Sequence, residues 1–418
     1  MPKGEGKAPP FFKNMKKVVV VSVDSLVTED LEYLMKMPRL QNAFSSSHVF
    51  RDILCVYPTL TYPCHATILT GKLPGEHGII HNEEFCVGNT MRWLGKASDI
   101  KVDTIFDIAS SFGLKTASIS WPVTCGAKVD YLIGEIWPPA GNDWMKKYEA
   151  VNSIEGHKIF KRHVWDGCSF MNRDIDKLTM DASLDILETY RPDLMLLHLA
   201  ELDCSRHNNG VDPEKNISAI SHVGEELALI WDKLTTIFGK ENFNLVILGD
   251  HGQLDRDHSF SIHKVLEDKG LCTFNENGDV VDYKVYFHST GLSALVYIKG
   301  IGEEEAFDII NEIKKEYPGQ LGEIFRKEEA RGRYGLYGDF QFVVEAGEGT
   351  YLEKKPSLPL IKSITPGTFL KASHGHLPQK GMKPPFVVCG QEENNEEKKV
   401  SSLVDEASYI LSLLGIDR

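Results

Sequence analysis

Six Asp and His side chains of this chain stand where apolar segments end, and their residue types suit the coordination of divalent metal ions. Each follows a strand-like apolar run or lies in a late loop: Asp24, Asp203, His207, Asp250, His251 and His374. Together they can hold two ions side by side. The segment YPTLTYPCHATILTG, between the first two of these residues, supplies hydroxyl nucleophiles. Two metal ions and an activated hydroxyl are suited to displacement at phosphorus.

The ligand candidates differ in how well an ordinary structural role would explain them. Asp24 after four valines could equally cap a strand-to-helix turn. Asp203 and His207 are four residues apart, which places both on one face of a helical turn. Asp250 and His251 are flanked by glycines, and an ordinary structural role does little to explain an adjacent Asp and His at the end of a strand. Because all these residues occur in one chain in this order, the metal-centre hypothesis is the stronger one.

The nucleophile candidates are Thr59 and Thr61. A helix most plausibly begins at Tyr62-Pro63, because proline is favoured in the first helical turn. A hydroxyl at that N-terminus would meet backbone N–H groups and the helix dipole, which stabilise an incoming phosphoryl group. We therefore predict that Thr61 is an N-cap-like residue and the nucleophile. The alternative is that Thr61 only caps the helix.

Composition narrows the class of substrate. The chain has 418 residues, is 42% hydrophobic and carries a formal net charge of −14. An acidic chain argues against a nucleic-acid polymer as partner, since such partners require a basic surface. A small anionic substrate still fits, because bound dications would supply local positive charge. The eight cysteines are scattered without CxxC pairs and are expected to be free, mostly buried thiols.

The sequence shows no sign of a membrane segment or an export signal. No apolar run approaches the ~18 residues of a membrane span. The N-terminal segment MPKGEGKAPPFFKNMKK lacks the apolar stretch of ~7–15 residues that a signal peptide needs. The sequence therefore predicts a cytoplasmic protein, and it leaves the oligomeric state open.

Alternating strands and helices predict an α/β fold with a mostly parallel sheet flanked by helices. Strands are expected at 18–23, 116–120, 194–199 and 243–248, and helices at 31–44, 62–70, 104–112, 174–190, 218–238, 303–316 and 402–414. Short alternating runs after residue 270 predict a smaller α+β cap insertion. The expected division is a tail at 1–16, a catalytic core at 17–269, the cap at 270–365 and the rest of the core at 366–418. Such sheets bind ligands at the carboxyl ends of their strands.

The ordered set of ligands and the threonine resemble the alkaline phosphatase superfamily. Within it, YPTLTYPCHATILTGKLPGEHGIIHN is similar to the type I phosphodiesterase and nucleotide pyrophosphatase family. The resemblance implies two Zn²⁺ ions, for which Mn²⁺ could substitute. It assigns Asp24, Thr61, Asp250 and His251 to one ion, and Asp203, His207 and His374, rather than His376, to the other. It also implies that Asn82 and the Tyr62 backbone N–H hold a phosphate oxygen, an oxyanion-hole arrangement.

What the resemblance implies for activity is hydrolysis of a phosphodiester or nucleotide pyrophosphate through a phosphothreonine, with release of a nucleoside monophosphate. Cys64 and Val123 depart from the family, which usually has Asn and Gly there. Tyr62, Trp121 and Trp137 could form a stacking slot for a nucleobase, or could simply pack. The alternatives are a phosphonate hydrolase, a phosphomonoesterase, or a phosphodiesterase acting on phospholipid head groups.

Overall fold

A seven-stranded β-sheet lies at the centre of the computed structural model, which describes residues 15–88, 92–136, 143–365, 370–390 and 399–417. The strands are β1 Lys17–Val23, β2 Ser47–Phe50, β3 Glu83–Glu84, β4 Arg92–Trp93, β5 Thr116–Ile119, β6 Tyr131–Ile133, β7 Leu194–Leu199, β8 Phe243–Leu248, β9 Leu254–Asp255, β10 His258–Phe260, β11 Cys272–Phe274, β12 Val280–Tyr283, β13 Val285–Ser289, β14 Ser293–Ile298, β15 Leu321–Arg326, β16 Phe342–Ala346, β17 Thr350–Leu352, β18 Ile361–Ser363, β19 Ala372–Ser373 and β20 Phe386–Cys389.

The helices cover both faces of this sheet or pack in the region after residue 260. They are α1 Leu31–Leu34, α2 Gln41–Phe44, α3 Thr61–Thr70, α4 Pro74–His77, α5 Ile105–Ser111, α6 Trp144–Val151, α7 Ile154–His163, α8 Asn172–Thr189, α9 Glu201–Asn209, α10 Ile217–Phe238, α11 Ile262–Asp268, α12 Glu303–Glu316, α13 Lys327–Tyr334 and α14 Leu403–Leu413. No helix in the described ranges is both long and apolar enough to cross a membrane.

The central sheet has the strand order β2-β20-β8-β1-β7-β5-β6. Its strands run parallel except for β20, which is antiparallel to both β2 and β8. In β1, Val19 and Val21 pack with α8 and α10 on one face, whereas Val18 and Val20 pack with α3 and α14 on the other. A strand covered on both faces requires a continuous apolar run. The predicted α/β class and mostly parallel sheet are therefore confirmed.

The cap region contains a separate antiparallel sheet of order β13-β14-β16-β15. Helix α12 packs on it through Ala306, Ile310 and Ile313. The same apolar cluster includes Phe260 and residues of α11, which precede the expected boundary at residue 270. The division into core and cap remains a prediction.

One predicted helix, at 31–44, was wrong as a continuous element. The structure has two short helices instead, α1 and α2, with Pro38 between them. A proline inside a helix removes one backbone hydrogen bond and clashes with the preceding turn. The chain therefore leaves the helical path before Pro38 and resumes it at Gln41.

Candidate active site

The six predicted ligands converge at the carboxyl end of the three central strands. Asp24 follows β1 directly, and Asp250 and His251 follow β8 after one glycine. Helix α9, which begins two residues after β7, presents Asp203 and His207. His374 follows the short strand β19. Because β8, β1 and β7 are neighbours, these separate segments meet at one edge of the sheet.

The ligands form two groups. In the first, His251 Nε2 lies 3.2 Å from Asp250 Oδ2 and 3.5 Å from Asp24 Oδ1. In the second, Asp203 Oδ2 lies 3.2 Å from His207 Nε2, and Asp203 Oδ1 lies 3.9 Å from His374 Nε2. In each group the ligand atoms lie within 4.8 Å of one another. This grouping matches the division into two sites that the resemblance implied.

The residues present fit divalent cations. Asp24 Oδ1, Asp250 Oδ2 and the Nδ1 atoms of His251 and His374 are buried and make no hydrogen bond. Burial, and then the nearby carboxylate of Asp250, raise the pKa of Asp24 well above its usual value. Unpaired buried carboxylates of like charge are unfavourable unless a cation compensates them. The donor set of Asp oxygens and His nitrogens suits Zn²⁺ or another first-row ion.

Neighbouring residues affect the charge of Asp203 and the orientation of His207 in the second ligand group. Burial raises the pKa of Asp203, but the neighbouring His207 and His374 outweigh it, so the net direction is downward. His207 Nδ1 lies 2.7 Å from the Ala372 carbonyl oxygen, so the imidazole donates there and turns Nε2 toward Asp203. Such a hydrogen bond fixes the ring orientation of a metal-binding histidine.

The Thr61 hydroxyl lies beside the first ligand group, whereas the Thr59 hydroxyl is hydrogen-bonded to the backbone of another segment. Thr61 Oγ1 lies 3.2 Å from His251 Nε2. Thr59 is 1% exposed, and its hydroxyl donates to the His376 carbonyl while accepting from the Gly375 N–H, both at 3.1 Å. The expectation that Thr61 is the N-cap was wrong: Leu60 has the extended conformation of the cap, and Thr61 is the first helical residue.

Asn82 lies beside the same helix N-terminus. Its Oδ1 accepts a hydrogen bond of 2.9 Å from the Tyr62 backbone N–H. Both groups line a cavity of about 340 Å³ that also contains Thr61 and ligands of both groups. The Tyr62 N–H and the Asn82 side chain are thus paired with each other at the edge of this cavity.

The aromatic residues predicted to contact substrate have different positions. Tyr62 lines the cavity, although it is only 2% exposed, and packs edge-on against Trp93 with ring centroids 5.4 Å apart. Trp121 is fully buried against His65 and is not among the described residues of the cavity lining, so its position indicates packing. Trp137 lies outside the described residues.

Several cavity residues with ionisable side chains were not anticipated, among them Glu135, His198 and Lys354. Burial raises the pKa of Glu135 to about 7. His198 lies between two carboxylates, with Nε2 3.3 Å from Asp24 and Nδ1 3.8 Å from Glu135. Lys354 pairs with the buried Glu83 at 2.8 Å. His198 has a sequence signal, since it is a polar residue inside the apolar run LMLLHL; the other two have none.

A third cluster of potential ligands, His81, Glu83 and His288, shares His81 with the cavity lining. His81 Nδ1 accepts from the Glu83 N–H at 2.9 Å, and its Nε2 lies 3.2 Å from the Ser289 carbonyl. Its ring also stacks face to face on His288, with centroids 3.8 Å apart. Both His81 nitrogens thus have partners, whereas both nitrogens of His288 are buried without a hydrogen bond. Glu83 of this cluster pairs with Lys354 at 2.8 Å.

His376, the alternative to His374, is buried at 2% exposure. Its Nδ1 lies 2.8 Å from the Leu377 carbonyl oxygen. The described groups of potential ligands include His374 and not His376.

Comparison with known proteins places this geometry in context. The family model described as type I phosphodiesterase / nucleotide pyrophosphatase matches residues 18–376. The chain is 28% identical to human ectonucleotide pyrophosphatase/phosphodiesterase family member 1 over 203 residues, which are 47% of this chain and 19% of that protein. It is 23% identical to rat member 7 over 246 residues, 56% of this chain and 49% of the relative. The chain thus spans about a fifth to a half of these relatives.

Two solved structures share the fold over nearly the whole chain. Murine ectonucleotide pyrophosphatase/phosphodiesterase 5 has a TM-score of 0.66 and 21% identity, covering 96% of this chain and 95% of that one. Phosphonoacetate hydrolase from Sinorhizobium meliloti 1021, in complex with phosphonoformate, has a TM-score of 0.68 and 18% identity, covering 96% of both. At these identities the likeness shows the fold alone.

Proposed function

The chain belongs to the type I phosphodiesterase / nucleotide pyrophosphatase family, and on this premise we propose that it is a metal-dependent hydrolase of phosphodiester and pyrophosphate bonds. Small nucleotides are the proposed substrates, cleaved to release a nucleoside monophosphate. The observation that carries the proposal is the position of Thr61 Oγ1, which lines the cavity with both ligand groups and lies 3.2 Å from His251.

Two divalent ions, Zn²⁺ or Mn²⁺, are proposed for the two ligand groups. Asp24, Asp250 and His251, with Thr61, would hold one ion, and Asp203, His207 and His374 would hold the other. When bound, such ions lower the pKa of an attacking hydroxyl and stabilise negative charge on the phosphoryl and leaving oxygens.

Thr61 is the proposed nucleophile. Its Oγ loses its proton and forms a bond to phosphorus as the bond from phosphorus to the leaving oxygen breaks, which gives a phosphothreonine. Water then loses a proton as it attacks the same phosphorus from the side opposite Thr61, and the Thr61 oxygen leaves and regains a proton. The fixed N-terminal turn of α3 orients Oγ toward the cavity in both steps, and the N–H groups of that turn favour the anionic phosphoryl group.

Asn82 and the Tyr62 N–H are proposed to hold a non-bridging phosphate oxygen. Both are neutral donors, so they compensate the single charge of a diester better than the two charges of a monoester. No arginine is found among the described residues that line the cavity, and Lys354 in that lining pairs with Glu83 at 2.8 Å. Arg92 is engaged with Glu84 and Asp99 at 2.8 and 2.9 Å. A monoesterase would be expected to clamp the phosphate with a cation.

Two chromogenic substrates test this proposal. We expect a higher kcat/KM for p-nitrophenyl thymidine monophosphate than for p-nitrophenyl phosphate, and we expect Asn82→Ala to lower the first value. A ratio below one would favour a monoesterase. Phosphate release from phosphonoacetate, with neither chromogenic substrate cleaved, would favour a phosphonate hydrolase. If Tyr62→Ala retained full activity on the thymidine substrate, the stacking role of Tyr62 would be wrong and the chemistry would stand.

A further inference from the structure

Helix α9 carries a buried charge between its two proposed ligands. Arg206 lies immediately before His207, three residues after Asp203, and is 0% exposed. A guanidinium removed from water is unfavourable unless it is paired and hydrogen-bonded. Its partners therefore reveal what this part of the helix is built to hold.

Those partners lie on the segment that follows β1. Arg206 Nη2 lies 2.7 Å from each carboxylate oxygen of Asp30, which is also fully buried. Arg206 Nη1 donates to the Ser25 carbonyl oxygen. Asp30 Oδ2 in turn accepts from the Val27 N–H at 2.9 Å. One side chain thus binds α9 to the turn that begins at Asp24.

That turn has an unfavourable backbone conformation. Ser25 has a φ of 65°, in the left-handed region that non-glycine residues seldom adopt. Its N–H donates to Asp250 Oδ1 at 2.9 Å, and its carbonyl accepts from Arg206. Such a conformation persists when the surrounding structure imposes it. Ser25 is therefore held from both ligand groups, by Asp250 of the first and by the α9 helix of the second.

We propose that Arg206 and Asp30 are positioning residues that set the two ligand groups at the separation needed for two ions. The inference rests on the proposed two-ion site. Arg206 connects the helix bearing Asp203 and His207 to the turn bearing Asp24, and Ser25 extends the connection to Asp250. A buried ion pair often stabilises a fold no better than apolar residues of similar volume. The geometry of the pair, rather than fold stability, therefore accounts for its position.

Arg206→Lys and Asp30→Asn test the proposal. Lysine keeps the charge but loses the two-pronged geometry, and asparagine keeps the shape but loses the charge. Arg39→Lys is the matched control, because Arg39 also uses both Nη atoms, to bind Glu225 at 2.6 Å and Asp232 at 2.7 Å, but at an exposed site. The double variant Arg206→Met with Asp30→Leu replaces the pair by apolar side chains.

The readout is Zn²⁺ binding, measured by competition with a chromogenic chelator, together with the melting temperature. We expect Arg206→Lys and Asp30→Asn to lower the Zn²⁺ affinity of at least one of the two sites by roughly 10-fold or more, as for other residues that orient metal ligands. Arg39→Lys should bind Zn²⁺ like the wild type. The double variant should be more stable than Arg206→Met alone and still bind zinc weakly.

Zinc affinities within twofold of wild type in both single variants would overturn the proposal. Recovery of zinc affinity in the apolar double variant would also overturn it. So would a failure of Arg206→Lys, Asp30→Asn and the double variant to fold in excess zinc, because the ion pair would then be required for folding. If Arg206→Lys alone failed to fold, Asp30→Asn and the double variant would decide. Wild-type protein that bound no zinc would contradict the two-ion site itself, which is a separate result.

Discussion

Removing one hydroxyl at a time distinguishes the nucleophile from its neighbour. Thr61→Val keeps the shape of the side chain and loses Oγ1, whose contact is a 3.2 Å hydrogen bond to His251. The loss of one such bond costs about 0.5–1.5 kcal/mol of folding stability. Loss of the attacking atom should lower kcat by about 10³-fold or more, as the removal of other nucleophiles does.

Thr59→Val is the matched control and should behave in the opposite way. It removes two buried hydrogen bonds, to the His376 carbonyl and from the Gly375 N–H. The backbone of Thr59 also bonds these groups, through its N–H at 3.4 Å and its carbonyl at 2.8 Å, so neither is left wholly unpaired. The expected cost is therefore about 1–3 kcal/mol. At roughly 2 °C per kcal/mol for a large chain, the Tm should fall by about 2–6 °C.

The assay combines thermal unfolding in excess zinc with turnover of p-nitrophenyl thymidine monophosphate. Thr61→Val should be nearly as stable as wild type and inactive, whereas Thr59→Val should be less stable and retain turnover below its melting temperature. Activity that persisted in Thr61→Val and vanished in Thr59→Val would show that the wrong hydroxyl had been chosen, and would refute the reasoning from helix α3.

Three further predictions concern the ions, the late histidine and a buried carboxyl. Chelation should abolish activity, and elemental analysis should find two ions per active chain; one or none would contradict the site. His374→Ala should lose one ion, because His374 lies 3.9 Å from Asp203, whereas His376→Ala should keep both; the reverse pattern would shift the ligand by two residues. Burial raises the pKa of Glu226 from 4.5 to about 9. The folded protein then holds a proton that the unfolded chain has lost, so stability should fall as pH rises from about 4.5 to about 9. Glu226→Gln should remove this loss. The measurement is the free energy of unfolding of both proteins in urea at pH 5 and pH 8. An equal difference between wild type and variant at the two pH values would contradict the prediction.

The central strands were predicted accurately from continuous apolar runs in the sequence. The predicted bounds 194–199 and 243–248 are those of β7 and β8, because strands buried on both faces tolerate few polar residues. The ligands at their ends could be identified for the same reason. The break between α1 and α2 has a signal in the sequence, Pro38, which outweighs the apolar pattern that predicts one helix.

The remainder of the site depends on distant segments. Glu135 and Lys354 reach the cavity from the segments that follow β6 and β17, far apart in the chain, so no local spacing marks them. Trp121 was expected in the cavity because aromatic residues suit stacking, yet the sequence cannot distinguish a lining ring from a core ring. The start of α3 was misplaced by one residue, since Leu60 adopts the cap conformation without a capping side chain.

The antiparallel strand β20 has a consequence for the order of events during synthesis. It is made after the whole cap, yet it pairs with β8 on one side and β2 on the other. Until Phe386–Cys389 leaves the ribosome, β8 has an unpaired edge, and unpaired edges attract other strands. Nascent chains, or chains truncated before Phe386, therefore expose an edge prone to aggregation next to the segment that carries Asp250. Completion of the catalytic sheet therefore requires Phe386–Cys389.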